Sequence, residues 1–560
     1  MTTQPRITPD RAVLIGMMLA ATAFCRDLSY DFVMDDVPLI LLNQTLASWR
    51  NWKTIFLSHI FSPMGPVVPA VHYRPVYVLW LLLNQQLFGA VVPWWHLTSL
   101  LLHLLVIFMV YRLGLRVVRE PWTAALGALL FAFHPIHVES VAYVSDSTDL
   151  LAALFALVSL LSYVRFREEG AGGACYGISI FAAALAILSK EAGAMLPWMF
   201  VAYEGLRAPA RDTDRADRDW KRFGWTLSFF AVAAGYAVVR TLLFGRNVVP
   251  GGERLGGLQN VPLVLAAYLR NMLWPVRLSV YYPLGWVLQW TPAKAVAIAL
   301  ATLSAAFLWK LYRDRPGLRL QLLWAATLVI PPLTGVFIFA QDDWVHDRHM
   351  YLASVPFCLI IAALLREPKL PRRASALVSS LILAILFFET AVQLPRFRDE
   401  ITLYRSAVEA GLNSTIAHSH YAGALWGSGH QEQALQEYRL TTELSPESAF
   451  FHEEYGAALA RMGQDDEATV QYTKALQWAR RPTPLRGLVL YALATIEVRH
   501  SKFGAGADHM REALRIAPEA QGYHAMLAQA LRQEGYTQEA DEQMQLEIQS
   551  RQAARRRGDQ

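Results

Sequence analysis

The sequence predicts an all-α protein in two parts: a polytopic helical membrane portion over residues 1–395, and a helical-repeat solenoid over 396–560. Two observations carry this. Hydrophobic residues make up 54% of the chain and charged residues only 17%, too apolar for an ordinary soluble enzyme yet too charged for a wholly membrane-buried one. The apolar stretches also stop near Leu394-Pro395, after which the chain turns polar, rich in Gln and Glu. The net charge of +5 comes from short Lys and Arg runs between apolar segments. Such runs orient a membrane protein, so nucleic acid is not an expected partner and the lipid bilayer is. Cys25, Cys175 and Cys358 each lie in or beside an apolar segment, which gives neither a disulfide framework nor a Cys-based zinc site.

A span needs roughly 20 apolar residues. On that criterion crossings are expected near 12–28, 94–111, 122–141, 149–164, 174–189, 192–206, 223–243, 294–312, 319–340, 350–365 and 374–393, about eleven in all. The first, "AVLIGMMLAATAFC", ends in Ala21-Thr22-Ala23 and also fits a cleaved signal segment; both readings export the loop that follows. The uncharged stretch Pro75–Tyr111 could hold two spans. A double crossing would put Arg112, Arg116 and Arg119 outside, so "YRPVYVLWLLLNQQLFG" is read as an interfacial helix and only "WHLTSLLLHLLVIFMVY" as a crossing. The basic clusters at 165–167, 207–222, 310–319 and 366–373 then agree on one orientation. The segment "LGGLQNVPLVLAAYLRNMLWP" is read as a second interfacial or re-entrant helix. This topology leaves the N-terminus cytoplasmic and the C-terminal region outside.

In that region Tyr421, Leu425, Gly429, Ala434 and Tyr438 recur as Tyr455, Leu459, Gly463, Ala468 and Tyr472. The 34-residue period is that of tetratricopeptide repeats, with three to four copies expected. Such a solenoid is either a structural appendage or a concave surface for an acceptor protein or peptide.

Under the predicted topology one membrane face collects Asp31, Asp35, Asp36, His72, Arg74, His134, His137, Glu139, Lys190, Glu191, Asp342, Asp343, Asp347, Arg348 and His349. Ionisable groups at membrane depth are costly and serve sites or one another. A carboxylate of Asp35 or Asp36 could act as general base on an acceptor hydroxyl; adjacent side chains diverge, so only one of the two is expected to do so. Capping or ion pairing is the alternative. Arg74, Lys190 and Arg348 suit a phosphate, the arginines as bidentate forks and the lysine as a point charge; interfacial anchoring and local salt bridges are the bland readings. His134 and His137 have zinc-compatible spacing, but Pro135 between them argues for a helix end, so no metal ligands are assigned.

The acidic pair, "HYRP", "HPIHVESV", "LSKE" and "DRHMYLAS", followed by repeats, resemble the transmembrane and tetratricopeptide-containing O-mannosyltransferases of the GT-C glycosyltransferase superfamily and their bacterial relatives. The resemblance covers nearly the whole chain. It implies a GT-C-like membrane domain and transfer of a sugar, mannose in the best-known members, from a polyprenyl-phosphate carrier to protein Ser or Thr hydroxyls on the non-cytoplasmic face. The donor is a substrate; no cofactor is implied, and a divalent metal stays open. The acidic motif matches Asp35 and Asp36, the histidine motif matches His134, His137 and Glu139, and the "SKE" motif matches Ser189, Lys190 and Glu191. Two departures stand out: Asp146-Ser147 where the family commonly has Gly-Arg, and Asp347-Arg348-His349 for its "ERY" or "DRY" motif. Transfer to lipid or cell-envelope glycan, or an inactive membrane-anchored repeat scaffold, are the competing expectations. The tail "RRRGDQ" shows no organelle-retention signal, which points to a bacterial inner membrane.

Overall fold

A computed structural model describes residues 7–62, 72–206, 221–245, 258–282, 291–338, 344–367, 369, 371–411 and 413–558. The basic run at 207–220, together with Asp342 and Asp343, lies outside the described residues. The described secondary structure is all helical, in two compact units, residues 1–411 and 412–560.

The first unit contains α1 (Pro9–Phe24), α2 (Pro75–Phe88), α3 (Val92–Val117), α4 (Pro121–Phe133), α5 (Val138–Ala142), α6 (Ser147–Glu169), α7 (Gly172–Ser189), α8 (Leu196–Leu206), α9 (Leu227–Phe244), α10 (Val261–Leu273), α11 (Pro292–Asp314), α12 (Arg319–Leu328), α13 (Ser354–Leu365), α14 (Arg372–Gln393) and α15 (Glu400–Ala410). Among the described residues eight helices are long and apolar enough to cross a membrane, or nine if α4 and α5, bent by 53°, are one broken span. That is fewer than the expected eleven. The segments at 192–206 and 350–365 form helices of only 11 and 12 residues, because their first turns are taken up by the 3₁₀ turns Glu191–Met195 and Asp347–Met350. Pro135 ends α4 as expected. The stretch 75–111 forms one short helix, α2, and one long helix, α3.

Small residues set the packing at the centre. Gly127 of α4 and Gly114 of α3 both lie against Leu359 of α13; a Cβ on Gly127 would fall 2.7 Å from Leu359 Cδ2. α6 is the most useful ruler. It begins beside Asp149 and ends at Glu169, roughly 34 Å away at 1.5 Å per residue. At its far end Arg116 pairs with Glu169 (2.6 Å) and Arg119 with Glu168 (2.9 Å). Arg366 joins Glu120 (3.1 Å), and Arg315 joins Glu367, so three basic clusters are held in ion pairs. The carboxylate and histidine motifs collect around its near end.

The second unit stacks four antiparallel helix pairs: Thr415–Gly427 with Gln431–Leu444, Ala449–Arg461 with Asp465–Trp478, Pro484–Arg499 with Phe503–Ile516, and Tyr523–Gln533 with Thr537–Gly558. Gly456 admits the Tyr472 ring, which a Cβ would meet at 2.9 Å. The turn inside each pair needs a left-handed residue, supplied by Gly429 (φ 83°), Gly463 (φ 76°) and Gly535 (φ 90°). The third pair uses Ser501 at φ 61°. A side chain there is strained, so Ser501→Gly is expected to stabilise the protein by about 1 kcal/mol, read as a higher midpoint of thermal unfolding.

Candidate functional site

The acidic pair splits into two environments. Asp36 is fully buried; its Oδ2 accepts the Val33 N–H (3.0 Å) and its Oδ1 the Ser145 N–H (2.6 Å), which ties the first loop to the turn before α6. Burial pushes its carboxyl up to about 7, although those N–H bonds favour the charged form. Asp35 is partly exposed; its backbone N–H donates to Tyr143 Oη (3.2 Å), and no described residue bonds its carboxylate. Met34, just before the pair, sits at φ 54°, a strained conformation of the kind that gathers at functional turns.

Three ion pairs surround this turn. Arg74, at the start of α2, donates Nε (3.0 Å) and Nη2 (2.8 Å) to Glu191 Oε2, and its Nη2 also lies 3.2 Å from His72 Nδ1. Burial raises the Glu191 pKa, but Arg74 and then His72 overcome it and hold the group well below the usual carboxylate range. Lys190 ends α7 and bonds Asp149 in the first turn of α6. Arg348 bonds Glu139 through its guanidinium and its backbone N–H (3.1 Å), lies 3.7 Å from Asp146, and covers the Tyr143 ring at 5.9 Å. Tyr143 therefore links the acidic turn to the Arg348 pair.

A cavity of about 230 Å³ opens beside this network, lined on its polar side by His72, Arg74, Asp149, Lys190, Glu191, Arg240 and His349. Leu328, Pro331, Pro332, Leu352 and Ala353 form an apolar wall. Burial, with Lys190 and Arg348 nearby, drives His349 towards its neutral form, and burial with Arg74 does the same for His72. The cavity thus combines fixed cations with a hydrocarbon-compatible wall.

Asp35, Asp36, Glu139 and Arg348 belong to the network beside the cavity and not to its lining, and His134, His137 and Asp347 do not line it either. His134 sits opposite the Met272 carbonyl (3.0 Å) and caps the Ile136 N–H, while His137 bonds Ser354 Oγ (2.8 Å). Both are buried, line none of the cavity described, and tie the α4–α5 break to α10 and α13. Asp347 accepts from Asn271 (2.7 Å) and Tyr282 (2.8 Å), and burial beside Glu139 raises its pKa. It fixes the turn that carries Arg348. Among the described residues, no cluster of three or more His, Cys, Asp or Glu is placed to hold a metal ion.

Sequence reasoning did not single out Asp149, Tyr143 or Arg240. Asp149 was visible only as a polar residue at the start of an apolar helix. Gly193 also escaped notice: its 3₁₀ turn folds so tightly onto the end of α7 that a Cβ would fall 2.6 Å from Ile187 N and 2.7 Å from Ala186 C. Backbone cannot yield as a side chain can. Gly193→Ala is expected to cost about 1–3 kcal/mol, seen as a lower melting temperature in detergent.

Residues 73–234, which include α2 to α7 and most of this network, match the family model for dolichyl-phosphate-mannose-protein mannosyltransferase. The human protein O-mannosyl-transferase TMTC4 is 27% identical over 498 residues, 77% of this chain and 66% of that protein. The Drosophila melanogaster protein O-mannosyl-transferase Tmtc2 is 32% identical over 189 residues, 32% of this chain and 20% of its own length. The chain is homologous to these repeat-containing proteins and spans just under two thirds, 66%, of the first curated relatives. Among solved structures it overlays loosely on the Archaeoglobus fulgidus oligosaccharyltransferase, with TM-score 0.38 and 14% identity over 69% of this chain and 55% of that one. MamA from Desulfovibrio magneticus gives TM-score 0.25 and 17% identity over 32% of this chain and 93% of that one.

Proposed function

We propose that the chain is a membrane glycosyltransferase that moves a sugar, mannose, from a polyprenyl-phosphate carrier to Ser or Thr hydroxyls of exported proteins, with Asp35 as general base. The observation that carries the reading is the split of the acidic pair: Asp36 is consumed by two backbone N–H groups, whereas the Asp35 carboxylate has no bond to a described residue. Homology to protein O-mannosyl-transferases supports the sugar and the acceptor class.

In the proposed reaction Asp35 takes the proton of the acceptor hydroxyl as its oxygen bonds the anomeric carbon, and the sugar–phosphate C–O bond breaks with its electrons going to the lipid phosphate. Arg74 and Lys190 neutralise that leaving group, and the apolar wall receives the prenyl chain. The orientation expected from the basic clusters would put this site and the repeats outside a bacterial inner membrane, with the repeats presenting the acceptor.

The test is an assay of purified protein in lipid nanodiscs with polyprenyl-phosphate mannose and a Ser/Thr-rich peptide. Labelled glycopeptide is the expected product; label only in lipid or envelope glycan would transfer the reading to that acceptor class. One observation favours an inactive repeat scaffold instead: Ser147 stands where the resembling family has an arginine, and Asp146 beside it lies 3.7 Å from Arg348, so the positive charge near the site is reduced. Partner binding without any sugar transfer, unchanged on loss of Asp35, would decide for it.

A further inference from the structure

Arg240 interrupts the apolar run "FAVAAGYAVVRTLLF" of α9. A charged side chain within a span is costly and is kept where it meets a counter-charge or a ligand. Its direction is fixed by the residues one turn before and one turn after it. Tyr236 donates its hydroxyl to the Tyr73 carbonyl (3.0 Å) and packs on the Tyr73 ring at 5.9 Å. Phe244 packs on the same ring at 5.7 Å and on His59 at 5.9 Å. Residues four apart share one helix face, so Arg240, between them, faces the loop that delivers Arg74. It lines the same cavity as Arg74 and Lys190. The other side of α9 is apolar and outward-facing, with Leu242 80% and Val238 57% exposed.

We infer that Arg240 is a third cationic contact for the phosphate of the lipid donor, placed where the cavity meets the bilayer, so that the prenyl chain leaves the site between α9 and the segment Leu328–Gly335. This rests on the donor reading above. Arg74 and Lys190 reach the cavity from the start of α2 and the end of α7. Arg240 reaches it from α9, whose other side carries exposed apolar side chains. A phosphate entering from the membrane meets it from the side that the chain itself needs, and a guanidinium offers the two-point hydrogen bond that a phosphate accepts.

The experiment measures binding of a long-chain polyprenyl monophosphate, without sugar or acceptor, to full-length protein in nanodiscs, with the uncharged polyprenol as control. Arg240→Gln is expected to weaken phosphate binding about tenfold and Arg240→Lys by less, with polyprenol binding unchanged. With the full donor, Arg240→Gln should lower kcat/KM by at least a similar factor, with a raised KM for the donor. Equal phosphate binding by wild type and Arg240→Gln, or a parallel loss of polyprenol binding, overturns the assignment. The two readings fail separately. Arg240-dependent phosphate binding in a protein that transfers no sugar keeps this inference and sinks the transferase. Asp35-dependent transfer that ignores Arg240 does the reverse.

Discussion

Asp35→Asn is expected to lower the rate of sugar transfer by at least about 100-fold while the protein still folds and still binds donor, since a positioned general base contributes about 10²–10⁴ to rate. Asn has nearly the shape of Asp and keeps the backbone N–H bond to Tyr143, so it removes the base and little else. The loss should fall on kcat, with KM for the lipid donor almost unchanged. Asp36→Asn should behave differently. Asp36 fills both oxygens with the Val33 and Ser145 N–H groups, and an amide can satisfy only one of them. That variant is expected to lose thermal stability, with activity falling because the first loop no longer holds its place beside the turn before α6. Full activity in folded Asp35→Asn protein would remove the proposed base.

The second large effect concerns Lys190 and Asp149, which are 8% and 6% exposed and bonded to each other. Removing one partner of a buried pair leaves the other charge uncompensated and costs about 3–5 kcal/mol. Lys190→Met and Asp149→Leu alone should therefore both be poorly folded. The double variant replaces the pair with apolar groups and is expected to regain most of the stability, because the desolvation cost of both charges disappears. It should not regain the wild-type rate of transfer, because the phosphate then loses one of its cations. A double variant that folds and transfers at the wild-type rate would show that the pair is structural only; circular-dichroism melts beside the nanodisc assay separate the outcomes.

Much of the architecture was legible because membrane and repeat physics write long signals. An apolar run of span length, and a 34-residue period that repeats Gly429 as Gly463, are readable without contacts. The span count was less so, since length alone could not tell that Lys190-Glu191 and Asp347-Arg348 draw the first turns of α8 and α13 into the polar network and shorten both helices. At the candidate site, Asp35, Arg74, Lys190 and Arg348 announce themselves by motif. Their partners were found unevenly: Glu191 and Glu139 lie within quoted motifs, whereas Asp149 pairs across 41 positions and Tyr143 reaches Asp35 across 108. Pairing at such separations leaves no local trace. His134 and His137 were legible as a helix end through Pro135, but their buried partners, the Met272 carbonyl and Ser354, were not. The split between Asp35 and Asp36 lay wholly beyond the sequence, because it depends on which backbone N–H groups the fold brings to each carboxylate.

With Asp35 taking the hydroxyl proton, transfer is a single displacement at the anomeric carbon. The anomeric configuration of the hexose on the acceptor peptide, read by NMR against that of the donor, tests this most directly. Inversion at a Ser or Thr oxygen is the predicted result. Retention of configuration would contradict the account, because it requires a covalent sugar–enzyme intermediate in which a carboxylate is nucleophile rather than base.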